Sequence, residues 1–271
     1  MTYREAVEIL TSAGIEDAEH DARELFLLLG GGRLPLSRDY CSEDAGLLDA
    51  VRRRAGREPL QYIVGRVGFY REEYEVSPAC LIPRADTEVL VDYAVKHMPE
   101  GARFADLCTG SGCIAVSTLK NTRGTRALAV DISEGALAVA ARNAELNSVG
   151  DRLELARMDI MRSGEELIGR GIFAVLSNPP YIAEQVYRGL EPELFAEPKI
   201  ALVGGADGGD FYRRLVPLAL SVIDPRGFVA LEIGYDQAEL LRGLAAESGA
   251  DIEIIKDLGG NDRVAVLRRG Q

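Results

Sequence analysis

The chain has 271 residues, of which 47% are hydrophobic and 27% are charged, as in an ordinary globular protein. This length predicts one large domain, or one medium domain and one small domain. Lys and Arg total 31 against 43 Asp and Glu, which gives a formal net charge of −12. The acidic excess argues against a general electrostatic surface for nucleic acid.

The sequence has no apolar run of the roughly 18 residues that a membrane helix needs. Charged residues also interrupt the first ten positions, where a signal peptide has its apolar core. We therefore predict a cytoplasmic protein without membrane association. The four cysteines form no C-x-x-C pair and are predicted to be reduced. With only His20 and His97 available, no metal site is predicted.

Residues 1–58 carry the pattern of a small helical domain. Three helices are predicted, starting at the capping-box sequence Thr2-x-x-Glu5, at Ala18 and after Ser42. The second helix is predicted to run to Leu29 and to end at Gly30–Gly32. Near the end of the third lie Arg52, Arg53, Arg54 and Arg57. These arginines form either a solvated face, favoured by cations near a helix C-terminus, or a patch that docks a partner.

Residues 59–80 are predicted to form a β-hairpin linker. Short β-type runs occur at Tyr62–Val64 and Tyr74–Val76, with Gly65 and Gly68 between them. This stretch separates the helical region from a region in which helical and strand patterns alternate.

Residues 81–271 are predicted to form a doubly wound, Rossmann-like α/β domain. Predicted helices cover 87–97, 113–121, 134–147, 209–223 and 236–248, and predicted strands cover 103–107, 126–131, 152–156, 172–177, 227–233, 251–256 and 264–268. Strands such as Ala127–Val130 and Phe173–Leu176 are apolar at every position. That pattern is typical of a parallel sheet covered by helices on both faces.

The predicted strand 103–107 runs into a glycine turn that opens a helix. Gly110 and Gly112 let the backbone bend sharply and let a ligand approach closely. Asp131 ends the next strand, where a carboxylate can accept hydrogen bonds from both hydroxyls of a ribose. Together these features predict a site for an adenosine nucleoside.

The glycine turn alone permits two kinds of cofactor. Gly110-x-Gly112-x-x-Ala115 also satisfies the G-x-G-x-x-G/A pattern of NAD-binding dehydrogenases. Asp106, four residues before Gly110, favours D-x-x-x-G-x-G, which resembles the first motif of S-adenosylmethionine methyltransferases. A carboxylate at this position suits an amino-acid ammonium group and turn amides better than a pyrophosphate. A dehydrogenase would also need an acid for hydride transfer, and none is evident.

The predicted strand 172–177 ends in Asn178-Pro179-Pro180-Tyr181, at the sheet edge where doubly wound folds bind ligands. Two prolines fix the backbone and remove two N–H donors, which leaves carbonyl oxygens free to accept. Asn178 adds a side-chain acceptor and Tyr181 a flat face. Such a segment can hold a planar NH2 group by its hydrogens, raise electron density on its nitrogen and align it with a methyl donor.

Four segments resemble the release factor glutamine methyltransferases, the PrmC/HemK family. Residues 178–181 look like the fourth motif of amino-group methyltransferases, and Leu81–Glu88 resembles the signature L-I-P-R-P-E-T-E. Residues 197–212 resemble E-P-x-x-A-L followed by G-G-x-D-G-L-x-x-Y, and residues 258–264 resemble the family's ending.

The resemblance implies a class I methyltransferase domain with a seven-stranded sheet whose last strand is antiparallel. It also implies that the helical domain docks the substrate protein. The implied reaction methylates N5 of the glutamine in the Gly-Gly-Gln loop of class 1 peptide-chain release factors, which modulates translation termination. The implied donor is S-adenosylmethionine, and the implied product is S-adenosylhomocysteine.

By position, the resemblance assigns donor binding to Asp106, Cys108, Thr109, Gly110, Ser111, Gly112, Asp131, Ile132, Asp159, Ile160 and Asn178. It assigns the glutamine amide to Asn178 and the Pro179 carbonyl, with Pro180 and Tyr181 beside them. Arg84 and Glu88 belong to the signature segment that borders the active site. Cys108 departs from the glycine that is common at its position, and Ala85-Asp86 replaces Pro-Glu.

A methyltransferase of exocyclic amines in RNA is the nearest alternative, because Asn-Pro-Pro-Tyr can hold a flipped base by the same hydrogen bonds. Residues 1–75 contain 10 basic and 15 acidic residues, a net charge of −5 that suits phosphate contacts poorly. A non-catalytic scaffold is a further alternative. Two intact motifs argue against it.

Overall fold

The computed structural model describes residues 1–29, 37 and 39–270. The chain forms two compact units. The first comprises Met1–Arg66 and Glu191–Ala196, and the second comprises Val67–Leu190 and Glu197–Gln271. Over the described residues, every helix is too short or too polar to cross a membrane.

The first unit is helical. Its helices are α1 (Tyr3–Ser12), α2 (Ala18–Leu29), α3 (Ala45–Ala55) and α4 (Leu60–Val64), with a 3-10 helix at Pro192–Ala196. The predicted capping box is confirmed: Glu5 N–H donates to Thr2 Oγ1, and Thr2 N–H donates to Glu5 Oε2 at 2.7 Å. Apolar faces of the helices meet around the fully buried Leu10 and Phe26. The predicted stop at Gly30–Gly32 lies outside the described residues.

The arginines at the end of α3 are mostly held by acidic partners. Arg54 is buried and donates to Asp21 at 2.6 Å, and both Arg54 and Arg57 approach Glu193 at 3.1 Å. Arg53 pairs with Glu58 at 2.6 Å. Neither predicted reading describes Arg54, which is a buried structural group of this unit.

The strand predicted at Tyr62–Val64 is wrong, because these residues belong to helix α4. Pro59 directly precedes the helix with φ −54°, and Gly65 ends it in the left-handed conformation, φ +76°. A proline start and a glycine end favour one helical turn. The buried Leu60 and Ile63 then share one face, three positions apart.

The hairpin consists of β1 (Arg66–Phe69) and β2 (Glu72–Glu75), which pair as a separate two-stranded sheet. Tyr70 lies in the turn with φ +58°. A hairpin is therefore present in the predicted stretch, and its role as a linker stays a prediction.

The rest of the second unit alternates helices and strands. They are α5 (Glu88–His97), β3 (Arg103–Leu107), α6 (Cys113–Lys120), β4 (Arg126–Asp131), α7 (Glu134–Leu146), β5 (Leu153–Arg157), β6 (Ile172–Ser177), α8 (Glu184–Tyr187), α9 (Lys199–Leu202), α10 (Asp210–Val222), β7 (Ile223–Glu232), α11 (Ala238–Glu247), β8 (Ala250–Lys256) and β9 (Asp262–Arg269). Short 3-10 helices lie at Ala85–Thr87, Gly150–Arg152 and Glu165–Leu167. The sequence patterns do not predict α8, α9 or the 3-10 helices.

The second unit contains the predicted doubly wound sheet, in the order β5-β4-β3-β6-β7-β9-β8. Strand β9 runs antiparallel to β7 and β8, as predicted for the last strand. Apolar clusters cover both faces of the sheet, including Leu128 and Val175 on one side and Phe104 and Leu176 on the other.

The strand order places the two predicted motifs beside each other. Strand β3 lies between β4 and β6, so the order reverses at β3, and ligands bind at such a reversal. Leu107 at the end of β3 pairs with Val130 on one side and Ser177 on the other. The glycine turn, Asp131 and Asn178 therefore follow neighbouring strand ends.

Candidate active site

A cavity of about 390 Å³ opens at this edge of the sheet. Its walls include the predicted site residues Arg84, Cys108, Thr109, Gly110, Ser111, Asp131, Ile132, Asp159, Ile160, Asn178 and Pro180. Thr87, Met158, Ile200 and Phe211 also line it. The structure thus brings most of the predicted donor-binding residues around one space.

Asp106 supports the glycine turn from beneath rather than lining the cavity. Its side chain is fully buried, and its Oδ2 accepts from Thr109 Oγ1 at 2.6 Å and from Ala115 N–H at 3.2 Å. Its Oδ1 has no hydrogen-bond partner within the described chain. Burial raises the pKa of this carboxyl group to about 7.

The glycine turn has left-handed backbone at Gly110 (φ +55°) and Gly112 (φ +81°). A Cβ on Gly112 would lie 3.0 Å from Ala140 Cβ, whereas a Cβ on Gly110 would meet open space. Cys108 has φ +61°, a conformation that favours glycine. Cys108 therefore replaces the family's common glycine at a position where the left-handed backbone favours glycine.

Asp131 ties the turn to the next strand. Its Oδ2 accepts from Gly110 N–H and its Oδ1 accepts from Ser133 N–H, each at 2.9 Å. A carboxylate has about four acceptor sites, so both oxygens retain capacity for further donors such as ribose hydroxyls. The backbone bonds hold the carboxylate at the cavity wall.

Only part of the Asn-Pro-Pro-Tyr segment lines the cavity. Asn178 and Pro180 line it, and Asn178 Nδ2 donates to Thr87 Oγ1 at 3.2 Å. Pro179 is buried behind the wall, and no group of the described chain donates to its carbonyl. Tyr181 is turned into the protein: its hydroxyl donates to Glu232 Oε1 at 3.3 Å, and its backbone carbonyl accepts from Gln237.

Of the two predicted site residues in the signature segment, only one lines the cavity. Arg84 lines the cavity and forms an ion pair with Glu197, a buried residue whose other oxygen accepts from Ile82 N–H at 2.9 Å. Glu88 does not reach the cavity, because its carboxylate accepts from Tyr70 N–H at 2.8 Å. Arg84 is therefore the member of the predicted pair that stands beside the site.

Sequence reasoning misses Thr87, Glu197 and Glu232 as site residues. Thr87 and Glu197 lie inside quoted segments without an assigned role, and Glu232 ends a strand that is otherwise apolar from Phe228 onward. A carboxylate in such a strand is a signal, because a buried acid is rare without a task.

The chain matches two known families, and curated relatives match nearly all of it. Residues 2–65 match the PrmC N-terminal domain, and residues 85–209 match the Methyltransferase small domain. A release factor glutamine methyltransferase of Caulobacter vibrioides is 38% identical over 96% of this chain and 93% of its own. One of Geobacter sulfurreducens is 40% identical over 87% of this chain and 81% of its own.

A solved structure of ribosomal protein L11 methylase from Lactobacillus delbrueckii subsp. bulgaricus shares the fold. The two superimpose with a TM-score of 0.51 at 19% identity, over 72% of this chain and 84% of that one. Fold, motifs and relatives agree, and the dehydrogenase and scaffold alternatives have no support among them. This chain belongs to the release factor glutamine methyltransferase family.

Proposed function

We propose that this enzyme methylates N5 of the glutamine in the Gly-Gly-Gln loop of a class 1 peptide-chain release factor, with S-adenosylmethionine as the donor. The observation that carries the proposal is the position of Asn178. It lines the same cavity as the glycine turn, and within the described chain its side-chain oxygen receives no hydrogen bond. An acceptor for an amide hydrogen therefore stands beside a nucleoside-binding turn.

The cavity suits the donor's parts. Gly110 leaves open space for close approach, and Asp131 offers acceptor capacity for ribose hydroxyls. Ile160 and Met158 supply apolar wall for an adenine, and Asp106 keeps one unpartnered carboxyl oxygen under the turn. When bound, S-adenosylmethionine supplies an electrophilic methyl group on a sulfonium.

The acceptor side needs no histidine. Asn178 Oδ1 and the Pro179 carbonyl would accept the two amide hydrogens and fix the nitrogen toward the methyl group. Because Pro179 and Tyr181 do not line the cavity as it stands, Asn178 and Pro180 make the first contacts in this proposal. Arg84, held by Glu197, borders the entry of the glutamine-bearing loop.

Domain roles form part of the same proposal. Residues 1–58 would dock the release factor, residues 59–80 would link, and residues 81–271 would carry the chemistry. The match of residues 2–65 to the PrmC N-terminal domain supports a distinct role for the helical part.

The test is transfer of labelled methyl to a purified release factor. We expect labelling of the wild-type factor and none when the glutamine of its Gly-Gly-Gln loop is changed to alanine. Labelling of structured RNA in place of the factor would contradict the proposal and favour the nucleobase alternative.

A pair of enzyme variants separates the donor side from the acceptor side. Asn178→Ala should lower kcat by at least ~100-fold and leave S-adenosylhomocysteine affinity within about threefold, because the lost acceptor belongs to the substrate amide. Asp131→Ala should instead weaken S-adenosylhomocysteine binding at least ~10-fold, since ribose contacts are lost. Equal loss of donor affinity in both variants would show that the assigned role of Asn178 is wrong.

A further inference from the structure

A buried carboxylate lies behind the Asn-Pro-Pro-Tyr segment. Glu232, the last residue of β7, is only 1% exposed. Its Oε1 accepts from the Tyr181 hydroxyl at 3.3 Å, while Oε2 has no hydrogen-bond partner among the groups that the structure describes. A buried acid with an incomplete set of partners destabilises a fold, so its presence points to a functional task.

Thr87 stands between this carboxylate and Asn178. Its side chain is 2% exposed, and its Oγ1 accepts from Asn178 Nδ2 at 3.2 Å. The same hydroxyl is also a neighbour of the Glu232 carboxyl group and lowers its pKa. One hydroxyl thus stands next to both the substrate-side amide and the buried acid.

The chemistry of a hydroxyl makes this arrangement directional. A threonine hydroxyl has one hydrogen to donate and two lone pairs to accept. When its hydrogen is directed to an ionised carboxylate, the lone pairs that remain can receive only the NH2 end of Asn178. The oxygen end of that amide is then left for the cavity.

We propose that Thr87 and Glu232 are positioning residues that fix which end of the Asn178 amide faces the substrate, a role that rests on the proposed function. The carboxylate selects the direction of the Thr87 hydrogen, and the hydroxyl selects the direction of the amide. Tyr181, which donates to the same carboxylate, is held in place by the same group.

Protonation of Glu232 would release this selection. Besides Thr87, the titratable and charged groups that act on its carboxyl are the hydroxyls of Tyr181 and Tyr212, the guanidinium of Arg263, the carboxylate of Asp86 and the thiol of Cys113. Arg263 favours the ionised form, but it is itself paired with Asp86 at 3.2 Å and Asp257 at 3.1 Å. Burial dominates and raises the pKa of Glu232 to about 7, so the switch falls in the neutral range.

The first test needs no methyl transfer. In ¹⁵N-labelled protein, the Asn178 side-chain NH2 signal, identified by its loss in Asn178→Ala, should shift with pH through an inflection near neutrality. The inflection should vanish in Glu232→Gln. Asp106 also has a pKa raised to about 7, and it remains in that variant. An inflection that persists in Glu232→Gln, or none in the wild type, would overturn the proposal.

The second test uses activity and a conservative rescue. Thr87→Val should lower kcat ~10- to 100-fold with S-adenosylhomocysteine affinity within about twofold, and Thr87→Ser should recover at least about a third of kcat. The kcat of the double variant Thr87→Val/Glu232→Gln should be no lower than that of the less active single variant, because both residues act through one chain of contacts. Losses that multiply, or a Thr87→Val enzyme as active as the wild type, would contradict the proposal.

The two tests keep separate failures apart. If the wild-type enzyme transfers no methyl to a release factor, the proposed function is wrong, and the NMR titration still decides whether Glu232 sets the Asn178 amide. If transfer occurs and the titration shows no link, only the positioning role is wrong.

Discussion

The two glycines of the donor turn should respond differently to the same substitution. Gly110 and Gly112 both have left-handed backbone, so alanine at either position carries a conformational cost of about 1–2 kcal/mol. At Gly112 the added Cβ would also press on Ala140, 3.0 Å from its Cβ and 3.2 Å from its Cα. Overpacking of this kind costs a further ~1–3 kcal/mol.

The expected losses in the free energy of unfolding are therefore about 1–2 kcal/mol for Gly110→Ala and about 2–5 kcal/mol for Gly112→Ala. Donor affinity should follow the opposite order. Gly110 lines the cavity and Gly112 does not, so a methyl group on Gly110 takes space from the donor and should weaken binding at least ~10-fold.

Urea unfolding of the full chain gives the stabilities, and calorimetric titration with S-adenosylhomocysteine gives the affinities. The pair serves as its own control, because both variants add one methyl group to the same turn. If Gly110→Ala were as destabilised as Gly112→Ala, or if it bound the donor as the wild type does, the reading of this turn would be refuted.

Two further predictions concern buried charge. Burial raises the pKa of Glu232 from an ordinary 4.5 to about 7, so the folded chain holds this proton more tightly than the unfolded chain, and the stability so gained is lost as pH rises. Between pH 4 and pH 8 the wild type should lose about 3 kcal/mol relative to Glu232→Gln in pH-dependent urea unfolding, and parallel curves would contradict this. In the helical unit, Arg54→Met should cost about 3–5 kcal/mol because it leaves the buried Asp21 unpaired at the site of a 2.6 Å contact. Arg53→Met, which breaks a more exposed pair with Glu58, should cost about 0–1 kcal/mol, and equal costs measured by hydrogen exchange of the helices would count against the distinction.

Much of the fold could be read from the sequence because its signals are local. Strands β3 and β6 each lead directly into a recognisable turn, and their predicted bounds are those observed. The capping box at Thr2 needs only two side chains and one helical turn. Helix α4 could not be read in this way, because five residues are too few for a helical period to emerge.

The candidate site was less accessible to sequence reasoning. The glycine turn and Asp131 are predictable since each follows directly from a strand end. The contact between Thr87 and Asn178 joins residues 91 positions apart, and no local pattern announces it. The inward turn of Tyr181 depends on Glu232, so a flat ring that invites a stacking role is in fact held by a buried acid.

The place of β9 in the sheet has a consequence for how the chain is made. It lies between β7 and β8, where its Val264 and Val266 are buried. Both of these neighbouring strands precede it along the chain. Until β9 has left the ribosome, β7 and β8 each present unsatisfied backbone groups and apolar surface. Strand β9 is the last strand of this sheet to be synthesised. The nascent sheet can therefore associate wrongly until β9 is in place between β7 and β8.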